Sequence, residues 1–235
     1  MRIVITSATE KEILLIKQGI NPNFLEDSST SKVSFIETGI GLLASCYYIS
    51  KLLYELKPDL IIQAGIAGAF DTKVALAEVV IVKEEILADT GVEEDGSFID
   101  LFDMNLLSQN SFPFHNKRLI NPQIEELNFL KLDMVTGITV NEITTCSKRI
   151  EQYKANYDPA IESMEGASLH YCCLQTNTPF IQIRAISNFI GERDKSKWNF
   201  KDSLKNLSQI VLEYLDHLSK NEIINIQKNE IDNRI

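Results

Sequence analysis

Two glutamates are the residues of this chain best suited to move protons: Glu12, in SATEKEILL, and Glu165, in AIESMEGASLH. The three histidines, His115, His170 and His217, stand at no metal-ligand or catalytic spacing from one another or from a cysteine. A zinc centre or a Ser-His-Asp triad is therefore not expected, and general acid and base work falls to carboxylates. Each glutamate also has an ordinary explanation, because a carboxylate near the start of a helix is stabilised by the backbone dipole. A third residue asks for a reason: Arg184 lies inside the apolar run PFIQIRAIS, and a charge buried in a strand needs a partner or a ligand. The same run ends in the polar pair Ser187-Asn188.

The elements that must position these residues alternate between short apolar runs and amphipathic stretches. That pattern predicts an α/β fold, a single domain with a central mixed twisted sheet flanked by helices on both sides. Strands are expected at Arg2–Ser7, Val33–Glu37, Leu60–Ala64, Glu78–Lys83, Leu132–Thr136 and Phe180–Ser187. Helices are expected at Lys11–Gln18, Leu42–Leu56, Ser147–Asn156, Gly166–Gln175 and Asp202–Ser219. The domain is expected to span residues 1–219, with a polar extension over 220–235. Two glycine-containing turns, TGIGLLAS (38–45) and QAGIAGAF (63–70), each follow a strand, where ligands of α/β sheets gather. The first has the form GxGxxA, but the acidic residue a dinucleotide site needs at the far end of the next strand is missing, since Asp59 stands at its start. No GK[ST] follows either turn, which excludes a triphosphate loop. The segment Ala88–Arg118, rich in Asp, Asn, Ser and Phe, is expected to be a long irregular loop that covers a site.

The chain has 235 residues, 44% of them apolar, and a formal charge of −10. That charge argues against nucleic acid and anionic membrane as partners. No apolar stretch approaches a spanning helix and no signal-peptide core opens the chain, so a cytoplasmic location is expected. The four cysteines show no CxxC spacing and are expected to be reduced.

Taken together and in this order, SATEKE, TGIGLLAS, PDLIIQAGIAGAF, ESMEGAS and IRAISN resemble the nucleoside phosphorylase/nucleosidase superfamily over nearly the whole of residues 1–219. The resemblance implies a homo-oligomer that cleaves a purine nucleoside without metal or organic cofactor. It implies Glu12 as the base that activates the attacking water, Met164 and Glu165 as the ribose clamp, and Ala67-Gly68 as the pocket floor. Val140-Asn141 corresponds to the base-flanking loop and Arg184 to the support of the water site. The phosphorylases carry an arginine in the loop after the first strand, whereas this chain has TSATEKE, with two glutamates and no arginine. Water is thus the expected nucleophile. The adenine-cleaving methylthioadenosine/S-adenosylhomocysteine nucleosidases have Asp where this chain has Asn188. An Asn amide has two N–H donors and suits the N7 and O6 acceptors of a 6-oxopurine. SNFIGERDKSKW further resembles the futalosine hydrolase branch, which releases hypoxanthine in a menaquinone pathway. That branch implies Asn188 as the donor to the departing base. Arg193 is then expected to pair with the carboxylate at the 5′ end of such a substrate, and Trp198 or a loop phenylalanine to stack on its ring.

Overall fold

A computed structural model describes residues 1–25, 32–71 and 73–220. Along the chain run β1 (Arg2–Ser7), α1 (Glu10–Gly19), β2 (Lys32–Glu37), α2 (Leu42–Leu56), β3 (Leu60–Ala69), β4 (Val79–Leu87), β5 (Gly91–Glu94) and β6 (Ser97–Asp100). There follow β7 (Leu119–Ile120), α3 (Ile124–Leu127), β8 (Met134–Thr139), α4 (Ser147–Tyr157), β9 (Ile161–Ser163), α5 (Gly166–Thr176), β10 (Phe180–Phe189) and α6 (Phe200–Lys220). From residue 221 onward the expected polar extension lies outside the described residues.

The central sheet is mixed, as expected. β2, β1, β3 and β10 lie side by side and parallel, and β10 is antiparallel to β4. β4 is parallel to β8, β8 to β9, and β9 returns antiparallel to the end of β3. That last pairing closes β3, β10, β4, β8 and β9 into a ring, from which β1 and β2 extend as an open wing.

Helices cover both faces. Ile3, Ile5, Leu60 and Ile62 pack with Ile13 and Ile16 of α1 and with Leu207 and Val211 of α6. Val4 and Ile61, the residues between, face the other way onto Ile49 and Leu52 of α2 and Leu169 and Cys173 of α5. This alternation is the period-2 geometry of a strand buried on both sides. Each such side chain contributes roughly 1.5–3 kcal/mol by leaving water. Among the described residues no helix is long and apolar enough to cross a membrane.

Two expectations are corrected. QAGIAGAF does not turn: β3 runs on through Ala69, because β10 pairs with it from Ile61 to Ala69 and β9 joins at Gly68 and Ala69. The segment 88–118 contains the hairpin β5–β6, and Phe102 and Phe114 are buried in a cluster with Leu119 and Ala167 rather than over a pocket.

Candidate active site

β3 changes partner halfway along one edge. β1 pairs with Leu60–Gln63 and β9 with Gly68 and Ala69, so the residues between have no strand on that side. At this fork the backbone N–H of Ile66 donates instead to Glu12 Oε1, at 3.1 Å. A cavity of about 550 Å³ opens there, at the carboxyl ends of parallel strands where α/β folds bind ligands.

Glu12 is held by its own helix. Its Oε2 accepts from the Thr9 N–H at 2.9 Å and from the Thr9 hydroxyl at 2.8 Å, the back half of a capping box. The helix-start explanation and the site explanation are therefore both true of this residue, since one oxygen closes the helix and the other reaches the fork. Glu165 precedes α5, and its Oε1 accepts from the Gly41 N–H at 3.0 Å. Gly41 sits at φ 87°, a backbone conformation that favours glycine, and in that conformation its N–H is the donor to the carboxylate. Burial raises the Glu165 carboxyl above its ordinary range, against the pull of Arg184 and of the Gly41 N–H.

Arg184 is 1% exposed. Its Nη2 donates to Gln63 Oε1 at 2.7 Å, and Nη1 lies 3.8 Å from Glu165 Oε2. It pairs in register with Gly65, where a Cβ would collide with its Nη1 and stand 3.0 Å from Glu12 Oε1. The buried strand charge thus answers Glu165, and the glycine opposite makes room for it.

The β10–β3 register shifts between Ile186 and Asn188, a bulge that turns the polar end of the strand toward the cavity. The Ser187 hydroxyl lies 2.8 Å from Asn188 Oδ1, and Asn188 Nδ2 donates to Phe189 O at 3.1 Å. The amide thereby presents its nitrogen as a donor with one N–H to spare. Farther along, Arg193 lies over the Trp198 ring at 5.6 Å. Lys197 takes Glu192 at 2.6 Å and Ser196 takes Asp194, leaving Arg193 without a carboxylate partner among the described residues.

Glu12, Ala67, Gly68, Met164, Glu165, Asn188 and Arg193 all line this one cavity; Arg184 does not, and reaches it only through Glu165. Val140 and Asn141 do not. Val140 is buried with Ile86, Ile138 and Tyr153, and Asn141 is exposed and bonds Asp89. Ile143 and Thr144, a little farther along the same loop, form the wall instead. None of Phe98, Phe102, Phe112 and Phe114 lines the cavity, while Trp198 and Phe200 do. Sequence reasoning passed over Ile143, Thr144, Phe200 and Glu162. Only Glu162 carried a signal, as a carboxylate within the short apolar stretch AIES.

The fold is that of an α/β enzyme whose pocket lies at strand ends and holds three buried carboxylates, Glu12, Glu162 and Glu165. A family model described as the Phosphorylase superfamily matches residues 2–216, and the chain belongs to that superfamily. It is 27% identical to the futalosine hydrolase of Thermus thermophilus, over 75% of this chain and 78% of that one. It is also 27% identical to the 5′-methylthioadenosine/S-adenosylhomocysteine nucleosidase of Pseudoalteromonas translucida, over 93% and 98%. Among solved structures, the native futalosine hydrolase of Helicobacter pylori superposes with a TM-score of 0.75 at 15% identity, covering 93% of this chain and 98% of that one. The 5′-methylthioadenosine/S-adenosylhomocysteine nucleosidase of Colwellia psychrerythraea, in complex with adenine, gives 0.73 at 22% identity, covering 93% and 96%.

Proposed function

We propose that the cavity takes a 6-oxopurine nucleoside and cleaves its N-ribosidic bond with water, with futalosine as substrate and hypoxanthine as the released base. The chain is a nucleosidase, as the relatives just named are by their names. The observation that carries the finer reading is Asn188, which lines the cavity with one amide N–H uncommitted and so suits the N7 and O6 acceptors of such a base.

In the reaction, water oxygen bonds ribose C1′ while the bond from C1′ to the purine breaks and its electron pair leaves with the base. Glu12 takes the proton that the water gives up, Asn188 stabilises the departing purine anion by a hydrogen bond, and the proton held by Glu12 returns through solvent to the base, giving neutral hypoxanthine and restoring the carboxylate. Glu165, with Met164 beside it, accepts from the ribose hydroxyls. Positive charge builds on the ribose as the base leaves, so a carboxylate beneath it favours the transition state over the substrate. Glu10 and Glu12 in the loop and helix after β1 disfavour phosphate as the nucleophile. Arg193, lying over the Trp198 ring and without a carboxylate partner among the described residues, is the partner for a carboxylate at the substrate's 5′ end.

A second reading, release of adenine from methylthioadenosine or S-adenosylhomocysteine, is favoured by the apolar residues Ile40, Phe200 and Leu204, which suit a thioether. Incubation with futalosine, inosine, methylthioadenosine and S-adenosylhomocysteine, with the free base identified by chromatography, separates the two. Hypoxanthine from futalosine supports the first, and adenine from the sulfur nucleosides rejects it.

Association of copies of this chain belongs to the same proposal. Leu43, Tyr47 and Tyr54 form one exposed stripe on α2, close to Ile40 at the cavity. Sedimentation is expected to show a species heavier than one chain.

A further inference from the structure

Glu162 lies in the same cavity, and none of the roles above uses it. It is the middle residue of β9, paired with Gly68 of β3, and on the other side of β3 the same Gly68 pairs with Asn188 of β10. Residues opposed across a ladder present their side chains on one face. Glu162 and Asn188 therefore flank Gly68 on a common face, two strand spacings or roughly 9–10 Å apart along the backbone. Gly68 adds no side chain of its own between them; a Cβ there would stand 3.0 Å from Ile190 Cγ1, which bounds the gap, and 3.3 Å from Asn188 Nδ2. The result is a slot with an amide on one wall and a carboxylate on the other.

The carboxylate is half used. Its Oε1 accepts from the Thr144 N–H at 3.0 Å, while Oε2 is buried without a hydrogen-bond partner among the described residues. Glu162 as a whole is 7% exposed. A buried carboxylate oxygen left without a donor is costly, and because Glu162 lines the cavity a ligand seated there can supply one as the carboxyl group turns toward it. A 6-oxopurine brings one, because its edge carries the acceptors N7 and O6 and, next to them, the donor N1–H. Adenine presents a bare acceptor nitrogen at that position.

We propose that Glu162 is a specificity-determining residue that accepts the N1–H of the purine through Oε2, opposite the donor Asn188. This rests on the 6-oxopurine reading and deepens it: Asn188 reads the acceptors of the edge, Glu162 reads its donor. The carboxylate also works against adenine, by setting acceptor against acceptor in a site that excludes water.

The test measures binding of free bases to the full chain by calorimetry, which removes the 5′ substituent from the comparison. The wild type is expected to bind hypoxanthine about 10- to 100-fold more tightly than 1-methylhypoxanthine, which keeps N7 and O6 and carries a methyl group in place of the N1 donor hydrogen. Glu162→Ala is expected to bring that ratio close to one. Glu162→Gln keeps the size of the side chain and an acceptor for Thr144 while turning an N–H toward the slot. It is expected to shift the preference from hypoxanthine toward adenine, and it guards against loss of folding in the Ala variant. A ratio that stays at the wild-type value in the folded variants overturns the proposal. A wild type that releases adenine and no hypoxanthine from the nucleoside panel overturns the 6-oxopurine reading, and the proposal with it, before any variant is made.

Discussion

At the scale of single residues, the cavity divides its labour between two carboxylates with different surroundings. Glu12 Oε1 lies at the unpaired edge of β3, and Glu165 lies between Gly41 and Arg184. If Glu12 is the general base, Glu12→Gln lowers turnover of the folded enzyme by about 10²–10⁴, and because both Glu12 oxygens accept from N–H or O–H donors the amide also lowers the melting temperature. Near-normal turnover of that variant removes Glu12 from the role. Glu165 must be ionised to accept from ribose hydroxyls, and burial raises its carboxyl above the ordinary range. As pH falls, kcat/KM is therefore expected to drop at a pH above that of an ordinary glutamate, about 4.3. A pH–rate profile that stays flat down to that value contradicts the assignment.

At the scale of elements, α5 reaches the sheet by way of a glycine. A Cβ on Gly166 would collide with Glu85 Oε1 of β4 and come within 2.5 Å of Gln182 Nε2 of β10. Both neighbours are buried and hydrogen-bonded to each other at 2.9 Å, so neither yields cheaply. Gly166→Ala is expected to destabilise the fold by about 1–3 kcal/mol. It is also expected to displace Glu165, which adjoins it, so that kcat/KM falls more than stability alone explains. Urea unfolding and steady-state kinetics on the same preparation check both. The elements themselves were legible to different degrees. The spans Arg2–Ser7 and Leu42–Leu56 follow directly from apolar periodicity. β9 has only three residues and β7 two, too short for any period to show. β3 continues through QAGIAGA because of the strands beside it, which are far away in the chain.

At the scale of the whole molecule, the buried polar layer under α5 makes stability depend on pH. Glu85 is fully buried, accepts from Gln182 Nε2 and the Thr139 hydroxyl, and is pushed up from 4.5 to about 7, chiefly by burial. Between those values the folded chain holds this proton and the unfolded chain has lost it. Stability is therefore greatest below pH 4.5 as far as this group is concerned, declines as pH rises, and levels off above about 7. The decline amounts to about 3 kcal/mol. Denaturant unfolding at pH 5 and pH 7.5 is expected to show it, and Glu85→Gln to flatten it. An equal slope in wild type and variant assigns the pH dependence to other groups.

What the sequence determined by itself was the material: an α/β alternation, two glutamates near helix starts, an arginine in an apolar strand, and Asn188 at its end. Those are local patterns, or a set of motifs in a recognisable order, and each can be read along the chain. The tertiary structure decided what lies across from what. Gly65 makes room for Arg184, the N–H of Gly41 meets Glu165, and Gly68 separates Glu162 from Asn188. It also moved the cavity wall from Val140-Asn141 to Ile143-Thr144. Register between strands is set by packing and by pairing over long separations, so residues 26 apart in the chain, such as Glu162 and Asn188, become the two walls of one slot only when β9 and β10 both dock on β3.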